Sequence, residues 1–361
     1  DPDSPMPHFG LAHAAGPNPN SRYGGLPDDP NGAGLAAIRR ALALVNNGSQ
    51  RERDMINALF VLYNKDAIPD SRERDFAFVD AMRNLHDQYP DDADIATIFG
   101  ESYMNTTRWD YWDEDGIAKS GTAEAQAAFE SAMRSEHDHP GANHLYIHLM
   151  EASAQPELAM PSAQKLESLV PISGHMVHMP GHIYLRVGEY EKAIDINERS
   201  QLVDLQFAEI WGDTNFPNIG TYGLSHKAHA PHALDFVRYA NMLQGNYAES
   251  AAAAQRGAAS VGEAVEAINR GQKRVAHSWI VDKVFGKYDK LHSAQQSHSG
   301  TPYLDGMWSY VKGSAHVSKG HMELAENELA NIQAQMVADN VDDTGVGPTP
   351  ASHVLTLASH A

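Results

Sequence analysis

The stretch Gly174–Asp204 reads GHMVHMPGHIYLRVGEYEKAIDINERSQLVD, and its spacing decides the fold. Counted from Gly174, small residues stand at positions 8 (Gly181) and 20 (Ala193), with a large one at 11 (Tyr184). A Gly–x–aromatic turn, Gly188 to Tyr190, falls at positions 15 to 17. This is the register of a helix–turn–helix repeat of about 34 residues. Small residues at 8 and 20 let the two helices of a unit approach, and Tyr184 fills the gap beside them. Gly188 supplies the left-handed backbone that so often ends a helix.

The same ruler fits on either side. A unit from Pro140 has Pro156 at the turn and Ala159 at position 20, and one from Pro231 has Gly245 and Tyr247 at 15 and 17. Units from Gln272 (Gly286, Tyr288) and Gly306 (Gly313, Gly320, Ala325) follow. A weaker unit starts near Ala93 with Gly100 and Tyr103, and Asp3–Gly16, with Gly10 at position 8, reads as a first helix. Unrelated helices do not keep phase, so the expectation is all-α: a tetratricopeptide-type α-solenoid, a right-handed superhelix of helix pairs, over residues 1–340. Residues 341–361 read as a linker, Val341–Pro350, and a short helical segment, Ala351–Ala361. Longer spacings reveal inserted loops: Thr106–Gly121 with Trp109 and Trp112, Gln206–Ala230 with Trp211, Phe216, Pro217 and Tyr222, and Pro17–Asn31. Solenoids carry such insertions on one face, often the binding face.

Bulk properties exclude several classes. The 361 residues carry a formal charge of −20, which repels phosphate backbones and argues against nucleic acid. No apolar run reaches the roughly 18 residues of a membrane span. There is no cysteine, so disulfides, thiolate metal sites and cysteine nucleophiles are absent. The sequence opens at Asp1 without Met or an apolar leader, so either a leader has been removed or this is not the gene start. The lack of thiols suits an exported protein, and a periplasmic or extracellular location is expected before the cytoplasm. No GxSxG, P-loop, HExxH or post-strand GxGxxG occurs, so the common hydrolase, kinase and dinucleotide readings have no support.

Twenty histidines are many for this length, and ten lie between His137 and His232. In such an array, positions 2, 5, 9 and 12 of each first helix share the face that lines the concave groove. The unit from Pro140 puts His144, His148 and Glu151 at 5, 9 and 12. The unit from Gly174 puts His175, His178 and His182 at 2, 5 and 9. The unit from Pro231 puts His232, Asp235 and Tyr239 there, and the weaker upstream unit offers Asp94 and Glu101. The phase came from Gly, Tyr and Ala, so this coincidence of histidines and carboxylates is independent of it. Histidines at i and i+4 can grip one ion. His144, His148, His178, His182, His232 and Asp235 are therefore candidate metal ligands, with Glu151 and His175 as acid–base or further ligand groups. Nitrogen and oxygen donors without sulfur suit a divalent transition metal, zinc or copper before iron. An open coordination position would make the chain a metal-dependent enzyme. Two alternatives stand beside this: a non-catalytic scaffold gripping a peptide or protein in the groove, and an exported structural protein that self-assembles into homo-oligomers through its solenoid ends. His137 and His139, in SEHDHPG, read as solvated; His226 and His229 could reach the groove from a loop. His277, His292, His298, His316, His321, His353 and His360 read as scattered background. The Trp109–Trp112 segment reads as an edge packed on the array rather than a lid.

The motifs DPDSPMPHFGLAHAAGPNPN, YPDDADIATIFGESYM with WDYW, HPGANHLYIHLMEAS and GHMVHMPGHIYLRVGEYEKAI, and the helix ending MLQGNY, resemble a group of bacterial tetratricopeptide-repeat proteins of poorly defined function. The resemblance covers roughly residues 1–255 and implies the repeat fold, but no reaction. In that group the third motif reads more like His–Asn–x–His. Asp235 stands here where the second His falls if His232 is the first, and Asp can still ligate. The group's opening motif often carries Cys where this chain has Ser4.

Overall fold

The computed structural model describes residues 3–211, 226–261, 271–343, 346–347 and 349–361. The described chain is all-helical, with no strand and a single isolated bridge between Trp112 and Ala118. No described helix is long and apolar enough to cross a membrane. Most of the Gln206–Ala230 insertion, with Phe216, Pro217 and Tyr222, lies outside the described residues, as do parts of the 341–350 linker.

The chain divides into two compact units, Asp1–Glu189 with Leu202–His226, and Tyr190–Gln201 with Lys227–Ala361. The first holds α1 (Met6–Ala15), α2 (Pro19–Tyr23), α3 (Ala33–Ala43), α4 (Gln50–Tyr63), α5 (Ser71–Gln88), α6 (Ala93–Thr107), α7 (Thr122–Ser135), α8 (Pro140–Met150), α9 (Met160–Leu169), α10 (Gly174–His178) and α11 (Pro180–Val187). From α3 to α9 each helix packs on the next. Helix α12 (Tyr190–Trp211) contributes to both units. The second unit continues with α13 (His226–Leu243), α14 (Tyr247–Ala259), α15 (Gly271–Val284), α16 (Tyr288–Ser293), α17 (Pro302–Ser318), α18 (Met322–Met336) and α19 (Ala351–His360). The sequence drew its boundary at 340; α19, beyond it, packs on α17 and α18 inside the second unit.

Four turns that the sequence marked with glycine take the left-handed backbone. Gly188, Gly245, Gly286 and Gly320 have φ of 84°, 80°, 65° and 74°, and the helices after them open at Tyr190, Tyr247, Tyr288 and Met322. Each glycine stands two residues before the next helix, in a backbone region that a Cβ disfavours. The close approach expected at position 8 is visible at Gly100, where a Cβ would lie 2.6 Å from the Phe129 ring.

Caps set the starts. Ser49 and Glu52 close a capping box on α4, and Asp70 and Asp92 cap α5 and α6. His139 Nδ1 accepts from the Ala142 N–H at the start of α8 and Nε2 lies 3.2 Å from Asp94, so it is a cap and not a solvated turn residue. The His139 hydrogen bond, with Arg51, holds the Asp94 pKa down to about 2. The Pro17–Asn31 loop contains α2, capped by Asn18 and Ser21. The helix expected from Gly174 is broken at Met179–Pro180 into α10 and α11, because Pro180 has no N–H to continue the ladder.

Candidate metal centre

Helix α8 presents His144 and His148 one turn apart, and Glu151 follows at its C-cap. Ser173 caps α10, which carries His175 and His178, and His182 stands in the first turn of α11. Although Pro180 separates the helices, His178 and His182 still meet, with their Nε2 atoms 2.9 Å apart. His144 and His175 meet in the same way, Nε2 to Nε2 at 3.0 Å. One donor atom each from His144, His148 and His175 lies within 4.8 Å of the others. Zinc–nitrogen bonds of about 2.0–2.1 Å put tetrahedral ligands about 3.3 Å apart, so 3.0 Å fits a coordination edge as well as a hydrogen bond.

Glu151 organises the cluster. Its Oε1 is 3.2 Å from His148 Nδ1 and its Oε2 is 2.5 Å from His182 Nδ1. A carboxylate on Nδ1 fixes the tautomer with Nε2 as lone-pair donor, the arrangement that orients metal-bound histidines. Burial works against the charge of Glu151, but His182 and His148 more than offset it and hold its pKa well below the carboxylate range. Burial, reinforced by His148 and His182, pushes the His144 pKa far down, and burial lowers that of His148 despite Glu151. Both rings are neutral at pH 7 and ready to ligate. The Nε2 of His148 is buried and has no hydrogen-bond partner among the described residues. Leaving such a nitrogen bare costs about 1–3 kcal/mol, and a metal removes that cost.

Trp109 walls one side, its ring 5.1 Å from that of His148 in an edge-on contact. Arg108 and Trp109 take positive φ of 51° and 72°, a strained pair of non-glycine residues. Trp112 donates to the Leu149 carbonyl at 2.7 Å, so the insertion is packed on α8 as expected and also aims Trp109 at the site.

A cavity of about 640 Å³ opens beside the cluster. Five expected groove positions, Asp94, Glu101, His144, His148 and His175, line it. Met6, Phe9, Ile98 and Leu145 add an apolar wall. His13 also faces it, its Nε2 3.0 Å from Glu101. Burial alone would lower the His13 pKa; the charge and hydrogen bond of Glu101 outweigh it and raise it. Sequence spacing missed His13, since its partner lies 88 residues away.

The structure regroups the expected set. His175 joins His144 and His148 as a third donor, Glu151 binds two imidazoles, and His178 with His182 forms a neighbouring pair. His232 and Asp235 lie on α13 in the second unit. There His232 is half-buried against Phe236 and His229, and His229 is itself buried. Asp235 sits among Lys273, Arg274 and His277, at 3.5, 3.6 and 3.4 Å, so cations already neutralise it. Although burial raises its pKa, His277 and the two cations hold it well below the usual range. No protein-family model matches the chain, and no curated protein matches it.

Proposed function

We propose that the chain is a tetratricopeptide-like helical protein that binds a divalent transition metal, zinc or copper, through His144, His148 and His175, with the metal facing the adjoining cavity. The observation that carries this reading is the buried Nε2 of His148, without a hydrogen-bond partner among the described residues, on a ring whose Nδ1 Glu151 already holds. His178 and His182 extend the donor set on the far side of Glu151. Three nitrogen ligands leave a coordination position open, and a metal so held supplies Lewis acidity and an acidified water. The cavity and the His13–Glu101 pair give that chemistry a place for an organic substrate and a proton carrier.

Elemental analysis of the dialysed full chain tests this. At least about one metal per chain is expected, with one equivalent lost in His144→Ala/His148→Ala and bound about 10–100-fold more weakly in Glu151→Gln, which keeps the volume and removes the charge. Wild type holding less than about 0.2 metal per chain after incubation with zinc or copper would overturn the reading. The apolar wall of the cavity favours a second reading, a binding pocket that works without metal; ligand binding unchanged by chelator would select it.

A further inference from the structure

The second unit carries a histidine cluster that no spacing announces. His292 is the last residue but one of α16, His316 lies in the last turn of α17, and His321 is the N-cap of α18. One donor atom from each lies within 4.8 Å of the others, and the ring centroids are 5.3 to 6.1 Å apart. We propose that His292, His316 and His321 form a second site for a divalent transition metal, at the surface of the second unit.

Three observations carry this. First, Gly320 turns the chain in the left-handed conformation, and the His321 N–H donates back to the His316 carbonyl at 2.9 Å, which folds His321 over His316. Second, Lys312 Nζ donates to the carbonyls of Leu291, His292 and Ala294, which fastens the end of α16 to α17 and sets His292 beside the pair. Third, His316 is 9% exposed and its Nδ1 is buried with no hydrogen-bond partner among the described residues. A helix-end histidine with an unsatisfied ring nitrogen between two other imidazoles is a ligand site by chemistry. His292 and His321 are exposed, so the remaining coordination positions face solvent. An all-imidazole set of this kind takes zinc, copper(II) or nickel(II) in preference to magnesium or calcium.

The test is a titration of chelator-treated full chain with copper(II), counted by calorimetry and read by electron paramagnetic resonance. Wild type is expected to bind about one equivalent more than His292→Ala/His321→Ala, with nitrogen hyperfine structure missing from the variant for that equivalent. Both substituted residues are exposed, so the variant keeps its helical circular dichroism. His144→Ala/His148→Ala should retain the equivalent that the surface variant loses. Equal stoichiometry and spectra in wild type and His292→Ala/His321→Ala would overturn this site and leave the first standing. Loss confined to the surface variant would support this site and count against the first.

Discussion

At the scale of single residues, the ionisation of each group follows from what touches it. A histidine whose pKa is raised in the folded state stabilises the fold below its ordinary value near 6.5 and loses that contribution as pH rises through the folded value. His13 is such a group, and Glu101 is the cause. In Glu101→Gln, burial acts unopposed, so the His13 pKa should drop below 6.5 and its stabilising contribution in mildly acidic solution should vanish. An NMR titration of the His13 ring reads this; an unchanged midpoint would show that Glu101 is not the cause. The histidines of α8, α10 and α11 were legible because the glycine and tyrosine register gave them addresses. His13, His292, His316 and His321 were not, because their neighbours come from distant segments or from turns that share no period. The role of Glu151 was half legible: three residues after His148 predicts one contact, but the second, to His182, depends on how α11 packs.

At the scale of elements, two helical glycines have opposite consequences. Gly10 and Gly100 both count to position 8 on the sequence ruler. A Cβ on Gly10 meets nothing within 4 Å, whereas on Gly100 it would strike the Phe129 ring at 2.6 Å. Gly100→Ala should therefore destabilise the first unit by about 1–3 kcal/mol through overpacking. Gly10→Ala should leave it unchanged or stabilise it by up to about 1 kcal/mol through helix propensity. Denaturant melts of the two variants check this; equal effects would mean that α6 and α7 do not depend on the contact. The turns were readable because a left-handed glycine is a local demand, written where it is used. The break at Pro180 was visible in the sequence too, yet the i, i+4 pattern of His178 and His182 suggested a continuous helix. The pair survives the break because the chain re-enters a helix at once.

At the scale of the whole molecule, the all-helical class and the sequential packing of the first unit were legible, because helical periodicity and turn glycines recur along the chain. The division into two units was not, since α12 runs through both and no composition change marks it. Each unit carries its own histidine cluster and its own indoles. In the first, Trp109 lies edge-on to His148. In the second, Trp279 and Trp308 pair with ring centroids 5.1 Å apart. The strained turn that pins Trp109 against an imidazole thus makes the chain its own fluorimeter. Copper(II) arriving at His148 should quench Trp109 emission at once, and zinc should shift it without quenching. Trp109→Phe should silence the signal while the metal still binds. Each metal that loads the first unit would announce itself in light, with no label added.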